Sequence, residues 1–541
     1  MRSSASRVAR TMAGAVAAAA LLATATTVAA PAVGRAATDR PEKPRVQEQW
    51  RSFWVDSFHD GIYTPQQVDE LVADAEAANA NVLIVQVGRW MDCFCNRSTF
   101  PRTHAPIDPE PFDPLDDVIA KAHAAGIQVH AWVNASPMWN AAYPPPQPDH
   151  IYHTHGPTAT GADRWLQKKY DGSEIGGTTM RVLDLTNPAA TDYVVEGIAS
   201  IAREYDIDGI NLDYIRFPDY NSVDGYSDWG YSDVALQRFR AATGRTDVPE
   251  PSDEEFTAWR REQVTAYVRK IYLTMYAIDP KLRLSINGIT YMYGPQSTPG
   301  GWEGTRTYRQ VLQDWKGWLE EGIIDTNVAM NYKRASSPGH LQMFDEWNEV
   351  LADWQNGRQN VVGPGIYLNP LLDNLTMSRR ALRPTAAGNR LAGWSGYSYA
   401  VPSSVADSDG STADEERAAL VSALTTNDPT GNPPLFAEKA KVPSMPWKER
   451  PTKGNIVGSL ALKDGTGLDQ VPVTLTNLRT GERVTGRVTD GSGWFGFVDL
   501  DPGLWLVRAD LPRGVHGKSV DLVNVRKGKI AEPRLGPFRS R

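Results

Sequence analysis

Eight times between residues 51 and 424 a short run of strand-forming residues is followed by a helical run, and this alternation leaves few folds open. The strand segments are Arg51–Phe58, Asn81–Gly88, Ile127–Ala135, the start of Asp208–Asp219 (DGINLDYIRFPD), Leu282–Ile289, Thr326–Arg334, Val361–Asn369 and Leu391–Tyr399. The helical segments between them cover 65–80, 114–125, 188–205, 253–278, 308–320, 339–355, 376–387 and 413–424. Pro65 opens the first helix, with Thr64 as its cap. Alternation of this kind implies a parallel sheet under helices, and eight pairs is the count of an α/β (β/α)8 TIM barrel. Two long β/α insertions, 136–187 and 218–252, interrupt it; Tyr152, His153, His155 and Trp165 mark the first as a structured rim. A doubly wound open sheet is the rival, but no GxGxxG or phosphate loop follows any strand, so no nucleotide cofactor is expected.

The ends of the chain read differently. Arg2, Arg7 and Arg10 precede an apolar, alanine-rich run from Met12 to Ala30, which predicts a signal peptide over 1–37 with cleavage between Ala30 and Thr38. The run is too short and alanine-rich for a stable span, so an exported chain without a stable membrane anchor is expected. A polar linker (38–49) leads into the barrel (50–426), and a second linker rich in Pro, Asn and Lys (427–453) leaves it. From 454 to 541 short alternating runs such as WFGFVDL and LWLVRAD predict a small all-β sandwich. A net charge of −8 with no basic block argues against nucleic acid. Cys93 and Cys95 are the whole cysteine inventory, and an oxidising compartment permits a bridge between them.

Side chains alternate along a strand, so Asn211 and Asp213 share one face and Ile210, Leu212 and Tyr214 the other. An inward carboxylate at the C-terminal end of a barrel strand stands where active sites are built. The same position on other strands holds Trp54 and Asp56; Gln86, with Arg89 beyond; His130, Trp132 and Asn134; Ser285 and Asn287; Asn331 and Lys333, with Tyr332 between; and Tyr367 and Asn369. Barrel interiors are ordinarily filled with branched apolar residues, so these polar and aromatic ends describe a pocket. Amides exchange hydrogen bonds with hydroxyls and aromatic faces cover pyranose rings, which points to a polysaccharide. Glycoside cleavage needs two carboxyl groups. Asp213 is the first, with Arg216 or Lys333 as its cationic partner; Asp56, Asp184, Asp219 and Glu303 are candidates for the second. His130 with Asp56, Asp184 and Asp213 is also a possible metal set, although no H-x-H or H-E-x-x-H spacing supports it.

Three motifs carry a resemblance: Arg51-x-Phe53-Trp54-Val55-Asp56, Asp208-Gly209-Ile210-x-Leu212-Asp213-Tyr214-Ile215-Arg216-Phe217-Pro218, and Met330-Asn331-Tyr332-Lys333. Over roughly residues 46–425 the chain resembles the glycosyl-hydrolase-like 10 family, bacterial barrels that include enzymes acting on peptidoglycan glycan strands. The resemblance implies a carbohydrate-active barrel with Asp213 as the leading catalytic residue. Members often carry a second Asp directly after the first, where this chain has Tyr214, so their acid assignment does not transfer. True family 10 xylanases need a Glu on strand seven, and Val361–Asn369 has none. The segment Thr489–Trp505 is similar to the carboxypeptidase regulatory-like sandwich, which implies a spacer or binding module.

Overall fold

A computed structural model describes residues 47–175, 179–406 and 412–540. The segment read as a signal peptide and most of the connector after it lie outside them. Among the described residues no helix is long and apolar enough to cross a membrane.

Eight parallel strands close a barrel: β1 (Trp50–Val55), β2 (Val82–Gly88), β3 (Gln128–Asn134), β4 (Gly209–Asp213), β5 (Arg283–Ile289), β6 (Thr326–Met330), β7 (Gln359–Gly363) and β8 (Gly393–Tyr397). They pair in chain order and β8 returns to β1, with Trp54 opposite Tyr397 and Asn134 opposite Asp213. The covering helices are α1 (Pro65–Ala77), α2 (Pro114–Ala124), α3 (Pro188–Glu204), α4 (Glu254–Ile278), α5 (Trp315–Glu321), α6 (Pro338–Asp353), α7 (Leu371–Ala381) and α8 (Ala413–Thr425). Four open on a proline behind a side-chain cap from Thr64, Asp113, Asn187 or Ser337, which fixes where each crossover begins.

Two helices depart from the sequence expectation. α5 starts only at Trp315, capped by Asp314, whose side chain accepts from the Gly317 amide, because Leu312 turns the chain through the left-handed region first. α7 ends at Ala381 rather than at 387, since Pro384 cannot continue it and disfavours helix in the residue before.

Outward strand residues such as Leu83, Val85, Ile210, Leu212, Leu284 and Ile286 join the helices in the main core. The barrel interior is instead filled by Trp50, Trp54, Val82, Ile84, Trp132, Val328 and Val361. Trp54 reaches across to β7, where a Cβ on Gly363 would come within 2.3 Å of its ring. Only glycine admits the indole there.

Residues 427–453 are no free connector. Phe436 enters the main core against Trp394 and under the Arg51 guanidinium. Beyond it the chain crosses the N-terminal end of the barrel: Asn81 Nδ2 donates to the Ala440 carbonyl (3.0 Å), Arg283 Nη2 to Pro443 (2.6 Å) and Gln359 Nε2 to Ser444 (2.8 Å). The proline and lysine content that reads as a linker is that of a strap closing the barrel floor.

The sandwich stacks a four-stranded sheet (Arg483–Val488, Pro472–Asn477, Gly503–Ala509, Val520–Val525) on a three-stranded one (Trp494–Leu500, Gly454–Ser459, Ile530–Ala531) around Ile456, Leu475, Phe497 and Trp505. Its Asp490-Gly-Ser-Gly turn closes when Asp490 Oδ1 accepts from the Ser492 and Trp494 amides. The free Oδ2 then receives Lys270 Nζ of α4 at 2.9 Å. Arg238 grips Asp469 with two hydrogen bonds, so the sandwich is docked on the helical shell by charge-assisted contacts.

Candidate active site

Asp213 ends β4, and its carboxylate divides its two oxygens. Oδ1 accepts from its neighbour's amide, Tyr214 N, at 2.6 Å and from Arg216 Nη1 at 3.2 Å. Among the described residues no donor reaches Oδ2, and the side chain is 8% exposed. Asp56, which follows β1, repeats the pattern. Its Oδ1 accepts from Phe58 N (3.1 Å) and meets His59 Nδ1 (2.7 Å), while Oδ2 is buried with no partner among the described residues. Asp56 Oδ2 is thus a buried acceptor left open, as are Asp92 Oδ2 and Asp228 Oδ1 elsewhere, whereas Asp213 Oδ2 keeps some exposure; what sets Asp56 and Asp213 apart is that both stand at the barrel mouth.

The two carboxylates act on one phenol. Tyr397, at the end of β8, is raised far above the ordinary tyrosine range, first by burial and then by the charges of Asp56 and Asp213. Tyr332 stacks on it with ring centres 5.3 Å apart, and Trp54, Trp132 and Tyr367 pack edge-on around the pair. These five rings pave the barrel mouth.

Polar residues lock the paving. Trp54 Nε1 donates to Asn287 Oδ1 (3.1 Å), and Trp132 Nε1 to Asn134 Oδ1 (2.9 Å). Gln86 joins Asn134 to the Ser57 amide, and Arg89 Nη1 donates to the Ser57 carbonyl at 2.7 Å. Ser57 and the turn that sets Asp56 are thereby tied to β2 and β3.

Arg216 sits between two acids, 3.2 Å from Asp213 and 3.9 Å from Asp219, over the Tyr214 ring at 4.3 Å. Burial alone would lower its proton affinity, but Tyr291, Asp219 and Asp213 outweigh that and leave it above the ordinary arginine value. Four loop residues at this end, Met91, Tyr214, Tyr220 and Met292, hold φ between 50° and 64° without being glycine. Such backbone costs of order 1–3 kcal/mol per residue and gathers at functional sites.

A family model described as glycosyl hydrolase-like 10 matches residues 49–367. The chain belongs to the glycosyl hydrolase-like 10 family. Glycosyl hydrolase YngK of Bacillus subtilis (strain 168) is 24% identical over 302 residues, 53% of this chain and 52% of YngK. Glycosyl hydrolase DigH of Escherichia coli (strain K12) is 22% identical over 231 residues, 40% of this chain and 45% of DigH. The chain spans about half the length of the curated relatives it matches. Among solved structures, the PgaB (BpsB) glycoside hydrolase domain from Bordetella bronchiseptica is similar at 14% identity and a TM-score of 0.47, over 68% of this chain and 98% of that one. The fold itself stands on the closed strand order.

Several residues singled out by sequence take other places in this glycosyl hydrolase-like 10 barrel. Asp184 is fully buried with both oxygens claimed, Oδ1 by the Thr186 amide and hydroxyl and Oδ2 by the Ser232 hydroxyl. Burial raises its pKa against those hydrogen bonds. It binds one insertion to the other, and we expect Asp184→Asn to keep activity within a few-fold while losing about 1–2 kcal/mol of stability in urea titration.

His130 lies in the buried barrel interior with its ring edge-on to Trp50, and neither nitrogen has a partner among the described residues. Burial, with Arg283 beside it, pushes its pKa well below the ordinary value. It is a filler below the site rather than a hydrogen-bonding pocket residue. Asn211 also lies below Asp213, bonded to Ser285 Oγ at 3.0 Å. The suggested metal set does not assemble, and among the described residues no three His, Cys, Asp or Glu side chains are grouped for an ion.

The strand ends explain three more differences. β6 stops at Met330, so alternation cannot be carried past it. Asn331 turns to the helical layer, donating to Phe344 O and Asn348 Oδ1 of α6. Lys333 does not pair with Asp213; its buried ammonium donates to the Thr290 carbonyl at 2.8 Å. β7 stops at Gly363 before Pro364, which puts Tyr367 in a 3-10 turn, 36% exposed, and Asn369 on the Lys333 carbonyl. Glu303 is in an exposed turn of the loop after β5. Tyr397 is the residue the sequence reading misses. Its signal is the alternation of Gly393, Ser395 and Tyr397, since Ser395 bonds the inward Ser52.

Burial pushes Lys333 down to about 7. An unfolded lysine holds its proton to about pH 10.4, so between these values the unfolded chain binds more protons and stability rises with pH. We expect wild type to gain on Lys333→Met by up to about 1.4 kcal/mol per pH unit from pH 7.5 to 9.5, read by urea unfolding at each pH. A pH-independent difference would mean that this ammonium stays charged in the fold.

Cys93 and Cys95 are bonded to each other in the loop after β2.

Proposed function

We propose that the barrel hydrolyses glycosidic bonds of a bacterial cell-wall glycan by paired carboxyl chemistry, with Asp213 and Asp56 as the pair. The observation that carries this is that Asp213, at the end of β4, and Asp56, just after β1, both bear on Tyr397 at the barrel mouth, each held through Oδ1 with Oδ2 free of any partner among the described residues. Asp184, by contrast, has both oxygens occupied and lies between the two insertions.

Asp213, paired with Arg216, acts as nucleophile or base, and Asp56 as the acid that protonates the leaving oxygen. Tyr214, Tyr332, Tyr367 and Tyr397 offer ring faces to pyranoses, with Trp54 and Trp132 as the floor beneath. The cell-wall glycan is the substrate class that the family resemblance brings. Export through the segment 1–37 would deliver the enzyme to it, and N-terminal sequencing of the mature chain should find it starting between residues 31 and 38.

The test is incubation of the purified chain with peptide-free peptidoglycan strands and with neutral polysaccharides, reading new reducing ends with and without a chelator. Release from the peptidoglycan strands that is indifferent to chelator is the expected result. Retention of glycan on the protein with no release would make the barrel a binding protein, and loss of release with chelator would overturn the two-carboxyl mechanism.

A further inference from the structure

Between the loops that follow β4 and β5 lies a cavity of about 720 Å³, walled by Asp219, Tyr220, Tyr291, Met292, Arg306 and Gln310 among others. It adjoins the candidate active site through Asp219, which accepts from the Tyr291 hydroxyl at 2.9 Å and faces Arg216 at 3.9 Å. Tyr220 and Met292 are 61% and 50% exposed, and both are held in left-handed backbone. Large apolar side chains presented to water on strained backbone suit a surface that a ligand covers.

Arg306 gives the cavity its chemistry. Nε donates to Gln310 Oε1 at 2.7 Å and the guanidinium lies over the Tyr291 ring at 5.5 Å. So pinned, its two Nη nitrogens have no partner among the described residues and form an open fork. A planar fork of this kind matches a carboxylate through two parallel hydrogen bonds. The cavity's own acids do not fill it: Asp219 is taken by Tyr291 and Arg216, and Asp224 lies exposed at the rim.

We propose that this cavity is an accessory glycan subsite for a sugar bearing a carboxylate, with Arg306 holding the carboxylate and Tyr220 covering the apolar face of the ring. The inference rests on the glycan reading above and adds to it a charge requirement that the barrel mouth alone does not impose.

The test compares the full chain with its Arg306→Gln variant, both carrying Asp213→Asn so that substrate persists, by calorimetric titration with peptide-free peptidoglycan strands, with an oligouronide, and with the same strands after reduction of their carboxyl groups to alcohols. Arg306→Gln should weaken binding of at least one carboxylated ligand about tenfold, as loss of a bidentate charged contact does, and change the reduced strands less than about twofold. The carboxylated ligand that responds identifies whether the acid is ether-linked or on the ring. Steady-state kcat/KM of the single variant Arg306→Gln on strands and reduced strands supplies the same comparison should Asp213→Asn fold poorly. Equal losses on charged and reduced ligands, or no loss on either, would overturn the subsite while leaving the glycan reading standing. A chain that binds none of these glycans would remove both.

Discussion

Asp213→Asn is expected to lower kcat on the glycan substrate by about 10³-fold or more while leaving the fold intact. The asparagine carbonyl can still accept from Tyr214 N and Arg216 Nη1, so the turn after β4 keeps its hydrogen bonds and loses only the charge that drives the chemistry. Exchanging a charge-assisted for a neutral acceptor costs about 1 kcal/mol, too little to unfold the domain. Asp56→Asn should behave differently. If Asp56 is the proton donor, its loss hurts substrates with poor leaving groups most, and an aryl glycoside with an acidic phenol should recover much of the rate in Asp56→Asn but none in Asp213→Asn. Wild-type turnover in Asp213→Asn, with circular dichroism and melting unchanged, would remove that carboxylate from the mechanism.

What the sequence made legible follows from how local each signal is. A cap and proline before a helix, or a strand ending in an acid, involve residues a few positions apart, and so β4 with Asp213 and the starts of α1, α2, α3 and α6 are readable in the chain. Parity holds only while a strand lasts. Asn211 and Asp213 lie inside β4 and face inward together, whereas Asn331 and Lys333 lie past the end of β6 and face elsewhere. Asp184 fails for another reason. Its occupancy is decided by Ser232, 48 residues on and in a different insertion, which no local pattern records. Asp56 and Asp184 look alike in sequence, and only their free and filled oxygens separate them.

The floor of the barrel poses the same problem at longer range, and it carries the largest expected effect on stability. Lys448 Nζ meets Asp325 Oδ2 at 2.6 Å with both side chains essentially inaccessible to water, and the two residues are 123 positions apart. Asp325 Oδ1 accepts from Trp447 Nε1 and Oδ2 from Leu284 N, so one carboxylate ties the strap to the start of β5. Lys448→Met keeps the length and apolar stem but removes the ammonium bonded to that carboxylate, leaving it neutral donors and only the unbonded charge of Arg283 nearby. Breaking one side of a buried pair costs about 3–5 kcal/mol, because the remaining charge is uncompensated. We therefore expect the unfolding free energy of Lys448→Met, read by urea titration, to fall by that amount, with glycan turnover by the folded chain near wild type, since the strap lies at the opposite end of the barrel from Asp213. Pairing it with Asp325→Asn should restore most of the loss, because the uncompensated charge is then gone. A single variant as stable as wild type would show that the strap merely rests on the barrel, and the segment 427–453 would revert to the connector its composition suggests.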